Sequence, residues 1–373
     1  MASEETALEI LRRLEAAGHR AYLVGGCVRD RLLGRPVHDW DVATSARPEQ
    51  VTALFARTIP TGLRHGTVTV AMEDGTYEVT TFRAETGYAD GRHPDAVRFV
   101  ADVAQDLGRR DFTVNAMAMD AAGEVVDRYG GRADLAAGLL RAVGDPARRF
   151  REDALRMLRA VRFSAQLGFR VEAETARAMA ALAPLCARLS AERVRDELEK
   201  TLLSPAPRKA EEMVRLGMLR AFGLEPGTAR PWPPAAAAER AARWTAFVLA
   251  FPQADLERLR LDRRTARLCR AAAAAWEPRL TAEGLARLTA REGWETARCV
   301  CAVNGQEALW EALRASGRCV TVAQLAVDGR DLGAAGPSVG RLLARLLDHV
   351  LDHPEDNDRT RLLALAAQWR EER

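Results

Sequence analysis

Paired glycines and an arginine near the start of the chain are the first residues whose types and spacing could do chemistry. In the run LVGGCVRDRLLGRPVHDWDVAT, residues 23–44, Gly25 and Gly26 follow a short apolar stretch that is typical of a buried strand. Glycines permit a tight turn and a close backbone approach, and we predict that a helix follows over 28–33. The N-terminus of such a helix can hold a phosphate, and Arg29 on its first turn could clamp the same anion.

Two aspartates follow in the same run. Asp39 and Asp41 are two positions apart on a segment that we predict to be a strand, whose period of two would point both carboxylates to one face. Hard oxygen ligands at this spacing suit Mg²⁺, which shares its remaining positions with phosphates and water. Alone, a glycine pair or an aspartate pair is more typical of an ordinary turn or a solvated loop. Their combination with Arg29 favours nucleotidyl transfer, with Asp39 and Asp41 as catalytic metal ligands.

Further blocks along the chain extend this pattern in a fixed order. They are EVTTFRAE at 78–85, RRDFTVNAMAMD at 109–120, a long segment at 127–169 and ERVRDELEKTLLSP at 192–205. Together with the run described above, they resemble the motifs of class II tRNA nucleotidyltransferases, the CCA-adding enzymes, and of the related bacterial poly(A) polymerases. The resemblance implies that the 3′ hydroxyl of a tRNA attacks the α-phosphate of CTP or ATP, with magnesium as the cofactor.

The segment REDALRMLRAVR at 151–162 predicts a charged helix. Asp153 and Arg156 would share one side of it, where a carboxylate can accept from an exocyclic amine and a guanidinium can donate to a ring nitrogen. A salt-bridged amphipathic helix without a ligand would show the same pattern. The resemblance to the EDxxR motif of the family implies that Asp153 and Arg156 read the base and that Glu152 orients them. By the same resemblance, the ribose or triphosphate contacts are Arg110, Arg159 and Arg162, and the supporting residues are Asp111 and Asn115.

Two further features are left open by the sequence. Glu78 lies on a neighbouring predicted strand and could be either a third carboxylate or an ordinary exposed strand residue. The segment 83–99 is rich in glycine and charge, and it resembles the mobile loop that CCA-adding enzymes need for the switch from CTP to ATP. His93 departs from the commoner RRP pattern of the family, since this chain has RHP at that place.

The distribution of strand and helix signals predicts an α+β region followed by all-α segments. Short β-like runs such as LRHGTVTVAM, TYEVTTF and TVNAMAM occur up to about residue 140, whereas amphipathic helical patterns dominate from about residue 150. We predict a nucleotidyltransferase head with a small mixed sheet over 1–145, a base-recognition neck over 146–205, a helical body over 206–300 and a helical, tRNA-binding tail over 301–373. The resemblance implies an elongated arrangement of these parts.

Composition limits the partners and the compartment. The formal net charge of the 373 residues is only +3, so contact with nucleic acid must depend on where the arginines lie. No run approaches a membrane span and the acidic start lacks the features of a signal peptide, so we expect a cytoplasmic protein without membrane contact. Six scattered cysteines indicate buried free thiols. No obligate protein partner is evident, and the partners that the resemblance implies are CTP, ATP and the acceptor and T arm of tRNA.

Several activities within the family remain open. They are CCA addition, A addition after a separate CC-adding enzyme, CC addition and poly(A) synthesis. The loop over 83–99 is of full length, which argues against CC addition, and the further sequence typical of poly(A) polymerases is absent from the chain. The remaining alternative is an inactive RNA-binding protein that kept the scaffold, and the intact Asp39, Asp41, Asp153 and Arg156 argue against it. These motifs do not separate A addition from CCA addition, and of the two we expect CCA addition.

Overall fold

The chain folds into two compact units. The structure is a computed structural model that describes residues 2–87, 96–227, 229–233, 237–333 and 337–371. The first unit is Met1–Ala221 and the second is Phe222–Arg373. The finer division into head, neck, body and tail stays a prediction.

A mixed sheet forms the centre of the first unit. Its strands run in the order β3-β4-β5-β2-β1-β8-β9, and only the β2–β5 pair within it is parallel among the described residues. Two smaller pairs, β6–β7 and β10–β11, stand apart from it. The strands are β1 Ala21–Val24, β2 Asp41–Thr44, β3 Thr58–Gly62, β4 Thr67–Ala71, β5 Thr76–Thr81, β6 Arg83–Thr86, β7 Ala96–Phe99, β8 Ala118–Met119, β9 Val125–Val126, β10 Leu139–Leu140 and β11 Arg170–Val171.

Helices cover this sheet and continue beyond it. They are α1 Glu4–Ala16, α2 Gly26–Leu32, α3 Pro48–Leu54, α4 Val103–Leu107, α5 Gly131–Ala136, α6 Pro146–Glu152, α7 Leu155–Leu167, α8 Ala173–Leu182, α9 Ala191–Leu202 and α10 Ala210–Arg215. The first of them shows the local logic. The Ser3 side chain accepts from the Thr6 N–H at 3.3 Å and starts α1, which buries Ile10, Leu11 and Leu14.

The pairing of β1 with β2 positions the predicted site. Because these strands are antiparallel, with Leu23 opposite Val42, the glycines that follow β1 lie beside the residue that begins β2, Asp41. The parallel pairing of β2 with β5 places Glu78 opposite Asp41. Sheet register therefore places the turn and the two carboxylates next to one another on three neighbouring strands.

The second unit is helical. Its helices are α11 Arg240–Ala250, α12 Arg263–Ala274, α13 Ala282–Asn304, α14 Glu307–Ala315, α15 Pro337–Asp352 and α16 Arg359–Glu371. α13 is interrupted at Gly293, whose φ of 83° is outside the helical range. A core that includes Leu285, Val300, Leu346 and Val350 packs between these helices, and the described part of this unit has no strand. The predicted change from an α+β region to helices is confirmed.

One β-like run is not a strand throughout. In TVNAMAM, residues 113–119, the part Thr113–Asn115 is a 3-10 turn, and only Ala118–Met119 pairs in the sheet. The reason is a set of local polar contacts, because the Thr113 hydroxyl donates to the Asp134 carboxylate at 2.6 Å and the Asn115 amide donates to Asp111 at 3.2 Å.

Gly131, the first residue of α5, allows that helix to pack on the 3-10 turn that carries Asn115. A Cβ at this position would lie 2.4 Å from the Thr113 carbonyl oxygen, which is backbone and cannot rotate away. We predict that Gly131→Ala destabilises the first unit by about 1–3 kcal/mol through overpacking. The measurement is hydrogen exchange over 113–119, which should become faster. Gly340→Ala in α15 is the matched control, because its added Cβ meets no heavy atom within 4 Å; unchanged exchange in both variants would contradict the packing argument.

Candidate active site

A cavity of about 610 Å³ opens in the first unit where most of the predicted site residues meet. Glu152 and Glu78 are not part of its wall. Its lining includes Gly25, Gly26, Arg29, Asp39, Asp41, Arg110, Asp111, Asn115, Asp153, Arg156, Arg159 and Arg162. The structure thus brings together, in one place, residues from the glycine turn, the aspartate pair, the 109–115 segment and the 151–162 segment.

The glycine turn forms one wall of the cavity. Gly25 has φ 80°, a conformation that side chains rarely adopt, and a Cβ there would lie 2.7 Å from Nη1 of Arg110. The helix that follows, α2, begins at Gly26, two residues earlier than predicted. Arg29 is fixed on this wall because its Nη1 donates to Oδ1 of Asn115 at 2.6 Å and its Nη2 pairs with Asp30 at 2.7 Å.

The two aspartates lie at the start of β2 rather than both on it. The strand begins at Asp41, so the prediction that Asp39 is a strand residue is wrong. The alternation nevertheless holds, because Trp40 between them is 6% exposed and points into the core, while Asp39 is exposed and Asp41 is half-buried. Both carboxylates line the cavity.

Asp41 sits in an unfavourable electrostatic position for an anion. Burial raises the pKa of Asp41 to about 6, the Arg110 guanidinium opposes that shift, and the negative charges of Glu78 and Asp39 add to it. Arg110 is itself tied to the buried Asp106, with Nη2 3.4 Å from Oδ2, and its buried Nε has no hydrogen-bond partner among the described residues. A cation bound beside Asp39 and Asp41 would relieve this concentration of negative charge.

The donor set fits a hard divalent cation. Carboxylate oxygens at the rim of an open cavity are the ligands that magnesium prefers, and they leave room for phosphate and water. In the described part of the chain, no three His, Cys, Asp or Glu side chains are gathered closely enough to enclose a metal. Glu78 faces Asp41 across the β2–β5 pair, but its role as a third ligand stays a prediction.

The segment 151–162 is not one continuous helix, contrary to the prediction. α6 ends at Glu152, and Asp153 adopts an extended conformation with φ −148° and ψ 107° before α7 begins at Leu155. The break has a clear cause, since Oδ1 of Asp153 accepts from the Leu155 N–H at 3.0 Å and so satisfies the start of α7. Asp153 therefore reaches the cavity from a joint between two helices, whereas Arg156 reaches it from the first turn of α7.

The side chain of Arg156 is held by three acceptors. Its Nη1 lies 3.0 Å from Oε2 of Glu152 and 3.3 Å from the Arg149 carbonyl oxygen, and its Nη2 donates to the Arg109 carbonyl oxygen at 3.0 Å. Glu152 thus contacts Arg156. It makes no such contact with Asp153, whose Oδ2 accepts instead from Arg193 at 2.7 Å.

The remaining arginines on α7 are paired with acids from other segments. Nε of Arg159 donates to Oδ2 of Asp111 at 2.7 Å, and Nε of Arg162 donates to Oε2 of Glu197 at 2.5 Å. Burial alone would raise the pKa of Asp111, but the Arg159 guanidinium and the Asn115 hydrogen bond outweigh it and lower the pKa to about 2. Asp111 is therefore ionised and anchors both Arg159 and Asn115.

Sequence reasoning missed several residues of this site. Arg193 of α9, Phe163 and Cys27 line the cavity. Glu197 of α9 and Asp106 of α4 pair with arginines of that lining. Arg193 and Glu197 are four positions apart in a helix, which is the one signal that they share a face. That signal is weak, because α9 is charged along most of its length.

The predicted loop is only partly described. β6 and β7 pair antiparallel from Arg83–Phe99 to Thr86–Ala96 and form its base. The stretch 88–95, which includes His93, lies outside the described residues, so the predictions made for it stay predictions.

Two family models match the chain, in agreement with this architecture. The model described as "Poly A polymerase head domain" covers residues 21–141, and the model described as "Probable RNA and SrmB- binding site of polymerase A" covers residues 168–228. The mixed sheet with its glycine turn and aspartate pair defines a nucleotidyltransferase head of this class, whose members typically use a divalent metal ion.

Individual proteins that are similar to this chain also come from this class. The chain is 54% identical to the CCA-adding enzyme of Lactiplantibacillus plantarum over 203 residues, which are 54% of this chain. It is 53% identical to the CCA-adding enzyme of Bacillus velezensis over 215 residues, which are 57% of this chain. It spans about half the length of these curated relatives, 50% and 54%. The crystal structure of the Bacillus stearothermophilus CCA-adding enzyme in complex with CTP is 36% identical with a TM-score of 0.78, covering 98% of this chain and 97% of that one.

The chain belongs to the family of class II tRNA nucleotidyltransferases and poly(A) polymerases, as its sequence motifs predict. A Thermotoga maritima CCA-adding enzyme complexed with tRNA, 19% identical with a TM-score of 0.71 over 98% of this chain and 95% of that one, shares the fold.

The cysteines agree with the compositional expectation of buried free thiols. All six cysteines are buried and free of disulfides. Within the described ranges, no helix combines the length and the apolar character needed to cross a membrane.

The charge at Asp41 makes a prediction about stability and pH. A carboxyl group with a folded pKa of about 6 and an ordinary value of 3.8 favours the folded state at low pH, and this contribution is lost as pH rises through 6. Asp41→Asn should therefore stabilise the metal-free protein by about 3 kcal/mol at pH 8, and its advantage should shrink as pH falls from 6 towards 4. Thermal unfolding in EDTA between pH 4.5 and 8 measures this.

Asp111→Asn is the control of opposite sign. The pKa of Asp111 is about 2, below the ordinary value, so its ionised form stabilises the fold above pH 4 and this contribution is lost only as pH falls through 2. This variant should be less stable than the parent at every pH in the series. If Asp41→Asn were instead less stable than the parent by the same amount at every pH, the fold would not disfavour the ionised form of Asp41.

Proposed function

We propose that this chain adds C, C and A to the 3′ end of tRNA, using CTP and ATP and no nucleic-acid template. The observation that carries the proposal is the shared cavity, whose lining combines the carboxylates of Asp39 and Asp41 with the side chains of Asp153 and Arg156. Transfer chemistry needs the first pair, and a choice of base without a template needs the second. The likeness to CCA-adding enzymes, one of them in complex with CTP, supports this activity.

Asp39 and Asp41 are the residues that would hold magnesium. When bound, the ion would lower the pKa of the attacking 3′ hydroxyl and neutralise the charge that develops on the leaving pyrophosphate. Gly25 and Gly26 allow a triphosphate to approach the backbone closely, and Arg29 offers its guanidinium to the same anion. Arg110 lies beside Gly25, its buried Nε has no partner in the described part of the chain, and it would contact the triphosphate or ribose.

Asp153 and Arg156 can distinguish the bases by hydrogen-bond polarity. Cytosine and adenine both present an exocyclic amine beside an unprotonated ring nitrogen, whereas uracil and guanine present a carbonyl beside a ring N–H. An ionised aspartate only accepts and a guanidinium only donates, so the pair matches the first two bases and opposes the others. Both side chains are held in place, Arg156 by Glu152 and Asp153 by Arg193. UTP and GTP are rejected because their bases would place a carbonyl oxygen against the Asp153 carboxylate and a ring N–H against the Arg156 guanidinium.

The acceptor and T arm of tRNA is the proposed macromolecular partner. We assign its binding to the neck, body and tail over 146–373, where contacts to phosphates and to the shape of the helix would carry the affinity. The sequence of the tRNA would contribute little to such contacts.

Incorporation of labelled CTP and ATP tests the activity. Given tRNA that lacks all three terminal nucleotides, the protein should produce the complete CCA end in the presence of Mg²⁺. Asp39→Ala and Asp41→Ala should each slow the transfer of both nucleotides more than about a hundredfold, since charge stabilisation in the transition state is removed. Glu9→Ala on α1, an exposed acid remote from the cavity, is the control and should keep full activity.

The same assay separates the alternatives. A protein that adds nothing to the shortened tRNA but extends tRNA ending in CC with AMP would be an A-adding enzyme. Extension by many adenylates would indicate poly(A) synthesis, and full activity of Asp41→Ala would refute the assignment of the metal-binding carboxylates.

Base selection has a prediction of its own. Asp153→Ala and Arg156→Ala should narrow the preference for CTP over UTP, measured as the ratio of kcat/KM values, by at least about tenfold, because the hydrogen bonds that reject uracil are lost. Arg193→Ala should narrow it in the same direction, since Asp153 loses the partner at 2.7 Å that fixes its carboxylate. Arg177→Ala on α8, an arginine with a side chain 75% exposed, is the matched control. Unchanged ratios in all three site variants would remove the base-reading role.

A further inference from the structure

Phe163 of α7 lies where three arginines of the cavity converge. The guanidinium carbon of Arg162 is 4.0 Å from the centroid of its ring, and those of Arg29 and Arg159 are each 5.2 Å away. These distances are within the range at which a cation is attracted to the negative face of an aromatic ring. The ring lines the cavity and is 5% exposed, so the three cations surround it at the cavity wall.

Each of these arginines is anchored at one place by an acid of its own. The pairs are Arg29 with Asp30 at 2.7 Å, Arg159 with Asp111 at 2.7 Å and Arg162 with Glu197 at 2.5 Å. The acids belong to three separate parts of the chain, α2, the 109–115 segment and α9. The Phe163 ring lies within cation–π distance of all three guanidinium groups.

The close approach of these positive charges affects the pKa of Arg162. Burial lowers the pKa of Arg162, and the nearby Arg159 guanidinium lowers it further, while Glu197 opposes both. The ring has a fixed orientation, because Phe112 packs edge-on against it with centroids 5.9 Å apart and an interplanar angle of 82°. An immobile ring face can compensate for the mutual repulsion of cations without neutralising them, whereas another carboxylate would cancel the positive charge that a phosphate needs.

We propose that Phe163 is a positioning residue, whose ring face holds Arg29, Arg159 and Arg162 in place for the triphosphate of the incoming nucleotide. This inference rests on the proposed function. It assigns to the ring an electrostatic role in addition to the packing that any buried phenylalanine contributes.

The proposal separates triphosphate binding from base choice. The three arginines would contact groups that CTP and ATP have in common, so a weaker ring face should raise KM for both nucleotides by a similar factor. The preference for CTP over UTP should stay as it is, because Asp153 and Arg156 set it. Inorganic tripolyphosphate, which has no base, should lose affinity along with the nucleotides.

Fluorination of the ring provides the sharpest test. Replacing Phe163 with pentafluorophenylalanine by nonsense suppression largely keeps the shape of the side chain while removing the negative electrostatic potential on the faces of its ring. The Kd for inorganic tripolyphosphate, measured by calorimetry, and KM for CTP and ATP should all rise about tenfold, an effect of the size of the cation–π attraction of a buried ring. Phe163→Leu should show at least the same increase.

Phe82 is the matched control. It is a fully buried phenylalanine in the apolar core of the same unit, and its ring neighbour is Tyr22. Fluorinating it, or replacing it with leucine, should leave tripolyphosphate affinity and both KM values within about twofold.

The outcomes are distinct from those that decide the proposed function. Tripolyphosphate affinity and KM values that are unchanged by fluorination of Phe163 would overturn the proposal, because only the shape of the ring would then matter. A fluorinated protein that loses its preference for CTP over UTP without a change in tripolyphosphate affinity would also overturn it. If the unmodified protein transfers no nucleotide, the proposed function fails, and the calorimetric comparison still decides whether the ring face supports anion binding.

Discussion

The architecture around the cavity depends on the need to hold many positive charges in a small space. Seven arginines line the cavity, and each of them is paired with an aspartate or glutamate. A buried charge without a partner is strongly destabilising, so a pair whose members come from different elements fixes the relative position of those elements. The 3-10 turn at Thr113–Asn115, the joint at Asp153 and the packing of α9 on α7 all follow from where those acids must lie.

Asp39 and Asp41 are the exception to this pairing. Asp41 faces the like charges of Asp39 and Glu78, and the charge that opposes them within the described ranges is that of Arg110, which is shared with Asp106. Each arginine of the cavity is thus balanced by an acid, whereas negative charge stays in excess at Asp39 and Asp41. An anion and a cation that bind together, as a nucleotide and its metal do, would find both kinds of partner in one cavity.

The sequence indicated those parts of the site whose geometry is local. Gly25, Gly26 and the aspartate pair lie within one short unit whose turn and strand were predictable from residue type, although α2 begins earlier and β2 later than expected. The break at Asp153 was not predictable, because every residue around it is compatible with a continuous helix and only the cap on Leu155 reveals the end of α6. Arg193 and Glu197 were missed because they contact residues 40 and 35 positions away.

The joint at Asp153 also shows how the work of the first unit is divided along the chain. The segment 21–141 that matches the polymerase head contains the glycine turn and the aspartates, but Asp153, Arg156 and Arg193 all lie beyond its end. A gene segment encoding only that head would retain the glycine turn and the aspartate pair without the residues proposed to recognise a base. Substitutions after residue 141 could therefore alter the choice of nucleotide while the turn and the aspartates stayed unchanged.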